Sequence, residues 1–185
     1  MAKIESRTIE IGARYATIRT ADEADAARTL ELLRVGASET DYLPREPDEI
    51  AITVEEEKEF LRQRGEAIND LFLHAEVDGR IVAIASLMGS DLRRLKHGAT
   101  LGITVLREFW GQGLGRTMIE TLLNWAESRS LVRVALEVVE TNTRAIRLYQ
   151  SLGFREEGRL RAHRIQGGRF LDTILMARVS AAGAG

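Results

Sequence analysis

The sequence predicts one α/β domain, and three observations support this fold class. Its length of 185 residues is that of a single domain or of a domain with a small appendage. Apolar residues recur with helical spacing in some segments and form short strand-like runs in others. Turn-forming residues separate these segments, and we find neither an internal repeat nor a linker.

Composition and charge narrow the classes of function. The hydrophobic fraction of 44% and the charged fraction of 29% are ordinary for a globular protein, and the net charge of −2 gives no overall basic surface for nucleic acid. The absence of cysteine excludes disulfides, a cysteine-based zinc site and a cysteine nucleophile. The N-terminal residues lack the apolar core of a signal peptide, and no apolar run reaches membrane-spanning length. We therefore expect a soluble cytoplasmic protein without a metal site and without a nucleic-acid or membrane partner.

The first segments predict a strand and a helix behind a polar lead-in. Residues 1–14 form this lead-in, and its alternating isoleucines could add a strand. The segment YATIRT predicts a strand. Thr20 and Glu23 fit a capping box, and the Ala- and Leu-rich sequence after them predicts a helix that ends at about Val35.

The next segments predict a loop, a second helix and a hairpin. The stretch SETDYLPREPDEI contains both prolines of the chain and is typical of a loop. Thr53 and Glu56 form another capping box, which opens a charged helix that ends near Gly65. Two apolar runs then meet at Asp78-Gly79, which is a strong signal for a β-hairpin.

Strands and helices alternate in the rest of the predicted domain. ATLGITV and VRVALEVV predict strands, and helices are expected over residues 114–129 and in TNTRAIRLYQSLGF, the second helix being closed by Gly153. A final hairpin is expected to turn at Gly167-Gly168. The domain then spans residues 15–179, and residues 180–185 form a loose tail.

Three glycines stand at every second position where a predicted strand gives way to a helix: Gly111, Gly113 and Gly115. Backbone amides at a helix N-terminus lack intrahelical partners, and the helix dipole is positive there. An anion fits that place, and residues without Cβ let phosphate oxygens reach the amides. A tight turn without a ligand explains a glycine cluster alone equally well. The Gly-Lys-Ser/Thr of a P-loop and the spacing of a Rossmann fingerprint are both absent.

The stretch LEVVETNTRAIRLYQSLGF is the second informative pattern. Asn142 stands at or just before a helix start, and Ala145, Tyr149 and Leu152 follow on one face of that helix. Taken alone, this is a capping asparagine with a stripe of core residues. Its place after the glycine turn changes the interpretation.

The two patterns together resemble the Gcn5-related N-acetyltransferase (GNAT) superfamily. They are V-x-x-x-x-W-G-Q-G-L-G and L-E-V-x-x-x-N-x-x-A-I-x-L-Y-x-x-L-G-F, and the resemblance covers roughly residues 15–178. It implies a mixed, mostly antiparallel sheet, flanked by helices and splayed between the central strands that end at Val105 and Val139. It also implies an enzyme that moves an acetyl group from acetyl-CoA to an amine.

The same resemblance implies where the donor binds. The pantetheine arm would lie in the splay against the backbone of Ile103 to Val105, and the pyrophosphate would sit on the amides from Gly111 to Arg116. The residues that it places at the donor are Ile103, Thr104, Val105, Trp110, Gly111, Gln112, Gly113, Leu114, Gly115, Arg116, Asn142, Ala145 and Tyr149. The chain departs from the family at the first motif position, where Trp110 replaces the usual Arg or Gln. Packing could replace that contact.

Roles in the chemistry follow from the resemblance and from strand phase. Tyr149 matches the family's acid for the leaving thiolate, and a strand amide near Val105 suits the oxyanion. Some family members carry a glutamate base where this chain has Ala99. His97 shares the strand phase of Ala99 and could act as the base through water. The alternatives are that His97 only packs at a strand start, or that the reaction uses no dedicated base.

The acceptor is not specified by the sequence. Glu39, Asp41 and Tyr42 lie in the loop that covers the acceptor cleft in such folds, where they could contact a cationic amine; acidic loops are also commonly just solvated. A CoA-binding regulatory or structural module without turnover is the alternative to an enzyme. Aminoglycosides, polyamines, amino acids and protein amines all remain open as acceptors, and so does a homodimer.

Overall fold

One mixed sheet forms the centre of the molecule, and the computed structural model describes residues 3–180 of the chain. The strands are β1 (Arg7–Ile11), β2 (Arg14–Thr20), β3 (Leu71–Val77), β4 (Arg80–Gly89), β5 (Gly98–Val105), β6 (Arg133–Val139), β7 (Arg155–Gln166) and β8 (Arg169–Val179). The α-helices are α1 (Ala26–Glu39), α2 (Val54–Glu66), α3 (Leu114–Ser128) and α4 (Thr143–Ser151). No helix of this described part is long and apolar enough to cross a membrane.

The order of the strands confirms the predicted mixed, mostly antiparallel sheet. It runs β1-β2-β3-β4-β5-β6-β8-β7, and β5 and β6 form the parallel pair. These two strands pair only over Gly98–Thr100 and Arg133–Ala135, after which they separate. The sheet is therefore closed at the beginning of β5 and open at its end.

Helices cover both faces of the sheet, and close glycine contacts show which helix lies where. A Cβ on Gly36 of α1 would approach the Thr104 side chain to 2.8 Å, so α1 crosses the face to which Thr104 points. A Cβ on Gly115 of α3 would lie 3.8 Å from the side chains of Ile103 and Val105 and 3.9 Å from Leu148 of α4. Because alternate residues of a strand point to opposite faces, α3 and α4 lie opposite α1.

The N-terminal half contains the strand that the lead-in could add, and it differs from the sequence-based prediction at both ends of α1. The lead-in contributes β1, which pairs with β2 along its whole length. The capping residues before α1 are Asp22 and Asp25, not Thr20 and Glu23. Thr20 ends β2, and its hydroxyl accepts a hydrogen bond from the Ile4 amide at 3.0 Å, so it is not at a helix start. The helix also continues beyond Val35, to Glu39.

The local turn signals are confirmed. Thr53 and Glu56 form the predicted capping box of α2. The hairpins turn at Asp78-Gly79 and at Gly167-Gly168, although β7 begins already at Arg155. Ser180, predicted in the tail, donates its amide to the Val132 carbonyl at 2.8 Å. The rest of that tail lies outside the described residues.

A buried polar network ties α1 to β3. The His74 ring is fully buried and makes contacts of 3.1 Å with the Thr29 hydroxyl and 3.3 Å with the Asp25 carboxylate. Arg19 forms a two-point ion pair with the same carboxylate, at 2.7 and 2.8 Å. Burial raises the pKa of Asp25, but hydrogen bonds from Arg19 and His74 outweigh it and hold that pKa well below its usual range. His74 is thus accounted for by packing and hydrogen bonding in the core.

Candidate active site

The opening between the separated ends of β5 and β6 is lined on one side by backbone groups of β5. The Leu106 amide donates to the Val82 carbonyl of β4 at 3.0 Å. In an antiparallel pair, hydrogen-bonding residues alternate, so Leu101, Ile103 and Val105 direct their amides and carbonyls away from β4. β6 pairs with β5 no further than Thr100, so the amide and carbonyl of Ile103 and the amide of Val105 face the opening, whereas the Val105 carbonyl accepts the Trp110 indole Nε1.

Backbone groups of β6 face the opening from the other side. The Ser180 amide donates to the Val132 carbonyl at 2.8 Å and the Glu140 amide donates to the Asp172 carbonyl at 3.0 Å, so the even-numbered residues of β6 bond to β8. Glu137 consequently directs its amide and carbonyl into the opening. Unpaired backbone groups away from water are costly, and a ligand that itself carries amides would satisfy them. The pantetheine arm of coenzyme A is such a ligand.

The glycine turn presents a row of free amides at the end of β5. The amides of residues 111–116 make no hydrogen bond with any described residue, and the helical pattern begins where the Thr117 amide donates to the Gly113 carbonyl at 3.0 Å. Gly111 and Gly113 have φ values of 78° and 86°, which residues with a Cβ rarely adopt. The turn therefore meets the geometric requirement for an anion on the N-terminus of α3.

Gly113 and Gly115 of this turn have different surroundings, so the lack of a side chain has a different effect at each. A Cβ at Gly113 would meet nothing within 4 Å, so only the space in front of the amides would be filled. Gly115 differs from the expectation, because its Cβ would point between α3, the end of β5 and Leu148 of α4. A Cβ on Gly115 would make ordinary van der Waals contacts there and would not stand in front of the amides.

Trp110 is held against the end of β5. Its indole Nε1 donates to the Val105 carbonyl at 2.6 Å. The guanidinium carbons of Arg144 and Arg107 lie 4.9 Å and 5.6 Å from the centroid of the indole ring. The departure from the family motif is therefore accommodated by one hydrogen bond and two cation–π contacts.

The other residues expected along the turn have local roles. Leu114 is fully buried in the core, and Thr104 is half-buried on the face of α1. The side-chain Nε2 of Gln112 donates to the Glu108 carbonyl at 2.6 Å. Arg116 donates to the Ser151 hydroxyl of α4 at 2.6 Å. These contacts fix the shape of the turn, and donor contacts of the same residues stay predictions.

Helix α4 brings Tyr149 to the same end of the sheet. Asn142 caps this helix, because its Oδ1 accepts the Ala145 amide at 3.2 Å. The Tyr149 ring is buried beside Phe154, with centroids 5.8 Å apart, and its hydroxyl makes no hydrogen bond with the described residues. Burial raises the pKa of Tyr149 to about 12. The phenol consequently keeps its proton at neutral pH, as a general acid must.

The predicted acceptor residues are held by neighbouring segments. The Glu39 carboxylate accepts the Arg107 amide at 2.7 Å, so it ties α1 to the segment after β5. The Asp41 carboxylate accepts Gln166 Nε2 at 2.9 Å, and Arg164 donates to the Tyr42 carbonyl at the same distance. The loop after α1 is thus clasped by the β7–β8 hairpin. Glu39 is engaged with backbone and is not a free carboxylate.

The structure corrects the hypothesis about His97. This residue precedes β5 at the closed end of the parallel pair, where its carbonyl accepts the amides of Val132 and Arg133. Its side chain is exposed to solvent. It lies seven residues before the middle of the segment Ile103 to Val105, which is at the open end, and each residue of a strand spans about 3.3 Å. Shared strand phase was thus insufficient, because the two ends of β5 are far apart.

Glu137 is the carboxylate that sequence reasoning missed. Thr100 and Ala135 are directly paired, and Glu137 follows Ala135 by two residues, so all three point to one face. That is also the face to which Thr104 points beneath α1. The Glu137 side chain is exposed beside the opening. The signal in the sequence was a charged residue inside an otherwise apolar strand, Leu-Glu-Val.

A splayed sheet with free amides at its open end defines a class of protein that holds a phosphorylated, amide-containing chain. Comparison with known proteins specifies the class further. Residues 35–154 match the model of the acetyltransferase (GNAT) family. The chain belongs to this family, as the two sequence motifs predicted. The structure of a GNAT-family acetyltransferase from Streptococcus pneumoniae is similar, with a TM-score of 0.86 and 31% identity over 89% of this chain and 99% of that one.

Curated relatives support the same conclusion about activity. A ribosomal protein bS18-alanine N-acetyltransferase of Salmonella typhimurium is 34% identical over 65% of this chain and 78% of its own length. The L-amino acid N-acetyltransferase AaaT of Escherichia coli is 32% identical over 58% of this chain and 67% of its own. A putative acetyltransferase of Salmonella typhimurium, yncA, was solved with acetyl-CoA; it shares the fold, with a TM-score of 0.77 and 22% identity over 89% of this chain and 93% of that one. The protein is an acetyl-CoA-dependent N-acetyltransferase that acts on an amine.

Proposed function

We propose that this enzyme acetylates the α-amine of an amino acid or of a protein's first residue, with Tyr149 as the acid and Glu137 as the base. The observation that carries the proposal is the opening between β5 and β6. Its backbone groups, the free amides of the glycine turn and both side chains belong to elements that meet at the open end of the sheet.

The donor is oriented by backbone. The pantetheine amides would pair with the free amide and carbonyl of Ile103 and with the Val105 amide, and the pyrophosphate would rest on the amides of residues 111–116. This arrangement fixes the thioester near the middle of β5. An amide of that strand then faces the carbonyl oxygen, and it would stabilise the negative charge that develops when the amine attacks.

Protons move in two places during the transfer. The attacking ammonium must first lose a proton, and the exposed Glu137 carboxylate accepts it directly or through water. The departing thiolate gains a proton from Tyr149, whose pKa of about 12 keeps the phenol protonated until the thiolate forms. The tetrahedral intermediate collapses to the amide as the C–S bond breaks and the Tyr149 proton passes to the sulfur, which releases free coenzyme A; the nitrogen loses its second proton to solvent, from which the phenolate regains one.

The acceptor class is supported by the relatives. The names of two of them specify the alanine of a ribosomal protein and L-amino acids. Glu137 points to the face of α1 from β6, next to β8, and the loop at Asp41 is hydrogen-bonded to the β7–β8 hairpin. A cationic amine is attracted to such a carboxylate. An acceptor screen should therefore favour amino acids and peptides with a free N-terminus over Nα-blocked lysine and polyamines.

Replacement of Tyr149 tests the enzymatic role directly. Tyr149→Phe should lower kcat by about a hundred- to ten-thousand-fold, the range of general acid catalysis, and acetyl-CoA affinity should change little because only a hydroxyl is lost. Tyr15→Phe is the control, since Tyr15 is 66% exposed on β2. Thiol release measures kcat, and calorimetry measures affinity. Full activity in Tyr149→Phe would leave Tyr149 as a packing residue only.

Location and assembly are part of the same proposal. A cytoplasmic enzyme, with no nucleic-acid or membrane partner, suits acceptors of this kind. A homodimer is the assembly we propose to test first, by light scattering of the purified chain at several concentrations. A mass that stays at 20.6 kDa would identify a monomer.

A further inference from the structure

Arg144 is an unpaired cation beside the glycine turn. Its Nη2 atom lies 3.4 Å from the place that a Cβ on Gly111 would occupy. The guanidinium makes no ion pair and no hydrogen bond with the described residues, and its carbon lies 4.9 Å from the centroid of the Trp110 indole. A positive charge thus stands next to the free amides of residues 111–116.

The position of Arg144 on its helix is unfavourable for a cation. Arg144 is the second residue of α4, where the helix dipole is positive, and the first turn of that helix contains no acidic residue. Arg107, which also lies against Trp110, is different, because its guanidinium donates to the Glu39 backbone carbonyl. The energetic cost at Arg144 would be relieved by an anion in front of it.

We propose that Arg144, laid on Trp110, is a specificity-determining residue that binds the pyrophosphate of the acyl donor. Trp110 stands where the family usually carries Arg or Gln, so this chain supplies the guanidinium from α4 and uses the indole as the surface that positions it. The inference rests on the proposed function, since it assigns a residue to the donor site of that reaction.

Two variants distinguish a specific effect of Arg144 from a general effect of positive charge on α4. Arg144→Ala should weaken acetyl-CoA by about tenfold, the low end for a charge-assisted hydrogen bond because the side chain is exposed. Arg147→Ala is the matched control; Arg147 lies one turn later on the same helix, is exposed, and makes no ion pair with the described residues. Its affinity for acetyl-CoA should equal that of the wild type.

Truncated forms of acetyl-CoA show which of its phosphate groups Arg144 binds. Calorimetry should show that Arg144→Ala weakens acetyl-CoA and 3′-dephospho-acetyl-CoA equally. S-acetylpantetheine lacks the pyrophosphate, so its kcat/KM should not change. At saturating acetyl-CoA, kcat should also be unchanged, whereas KM rises. A loss for acetyl-CoA alone would assign Arg144 to the 3′-phosphate and overturn the proposal, and an equal loss for S-acetylpantetheine would mean that the variant disturbs the fold.

Replacement of Trp110 tests its positioning role. Trp110→Leu should lower acetyl-CoA affinity as much as Arg144→Ala, and the double variant should lose no more than either single variant. Trp110→Phe keeps an aromatic face and should retain most of the affinity. Independent, additive losses would contradict the positioning role. If the wild type itself binds no acetyl-CoA, the proposed function fails; if it binds and Arg144→Ala binds equally well, only this inference fails.

Discussion

Glu57 makes the stability of the fold depend on pH. This residue of α2 is only 5% exposed, and its carboxylate makes no ion pair or hydrogen bond within residues 3–180. Burial raises the pKa of Glu57 from 4.5 to about 7. The folded state prefers the protonated carboxyl. Protonation of Glu57 therefore stabilises the fold fully below the pKa of the unfolded chain, 4.5, and this stabilisation is lost as the pH rises through the folded-state pKa of about 7.

The difference in pKa sets the size of the effect. One pKa unit corresponds to about 1.36 kcal/mol. Relative to low pH, the free energy of unfolding therefore falls by about 1 kcal/mol at pH 5, about 2 kcal/mol at pH 6 and about 3 kcal/mol above pH 7.5. Glu57→Gln removes the ionisation. We expect the free energy of unfolding of Glu57→Gln, minus that of the wild type, to increase by about 2 kcal/mol between pH 5 and pH 8.

Urea denaturation at pH 5, 6 and 8 measures this difference. Contributions from other titrating groups occur in both proteins and cancel in the comparison. Glu55→Gln on the same helix is the control, because the Glu55 side chain is 81% exposed. Its stability relative to wild type should not vary with pH. If Glu57→Gln follows the wild type at all three pH values, the carboxyl of Glu57 is not held in its protonated form.

Three further predictions concern the site and the core. Gly113→Val should weaken acetyl-CoA severely in calorimetry, whereas Gly79→Val, with a similar φ of 78° and equally open surroundings, should only strain its own turn. Glu137→Gln should lower kcat/KM by about a hundredfold or more, whereas His97→Gln should leave kcat/KM unchanged; the reverse result would restore His97 as the base. Asp25→Asn should cost about 3 kcal/mol, because it removes the buried carboxylate that accepts hydrogen bonds from Arg19 and His74, and should flatten the loss of stability below the usual pKa of 3.8; equal acid sensitivity of both proteins would contradict this.

Local signals in the sequence predicted much of the fold. The hairpin at Asp78-Gly79, the capping box at Thr53 and the glycine turn each depend on residues close together in the chain, so they could be recognised without knowledge of the rest. The two family motifs are local in the same sense. The splay between β5 and β6 followed from the resemblance, and not from any periodicity.

Features that depend on distant segments could not be predicted. Strand phase placed His97 and Ala99 on one face, but only the pairing of β5 with β6 shows which end of the strand is open. The orientation of Glu137 depends on the same register. The first strand needs the edge of β2 to pair with, and alternating isoleucines in a polar lead-in are too weak a signal by themselves. Gly115 resembled a phosphate-binding residue until its contact with α4 was known.

The clasp between the β7–β8 hairpin and the loop after α1 has a consequence for the order in which the enzyme matures. Its two hydrogen bonds join residues 122 and 125 positions apart, Tyr42 to Arg164 and Asp41 to Gln166. The donor side, in contrast, comes from one continuous stretch, from β5 to α4. Contacts between distant segments form late, because a long loop must close first. During ribosomal synthesis, a nascent chain should therefore complete its coenzyme site before the β7–β8 hairpin is bonded to the loop after α1.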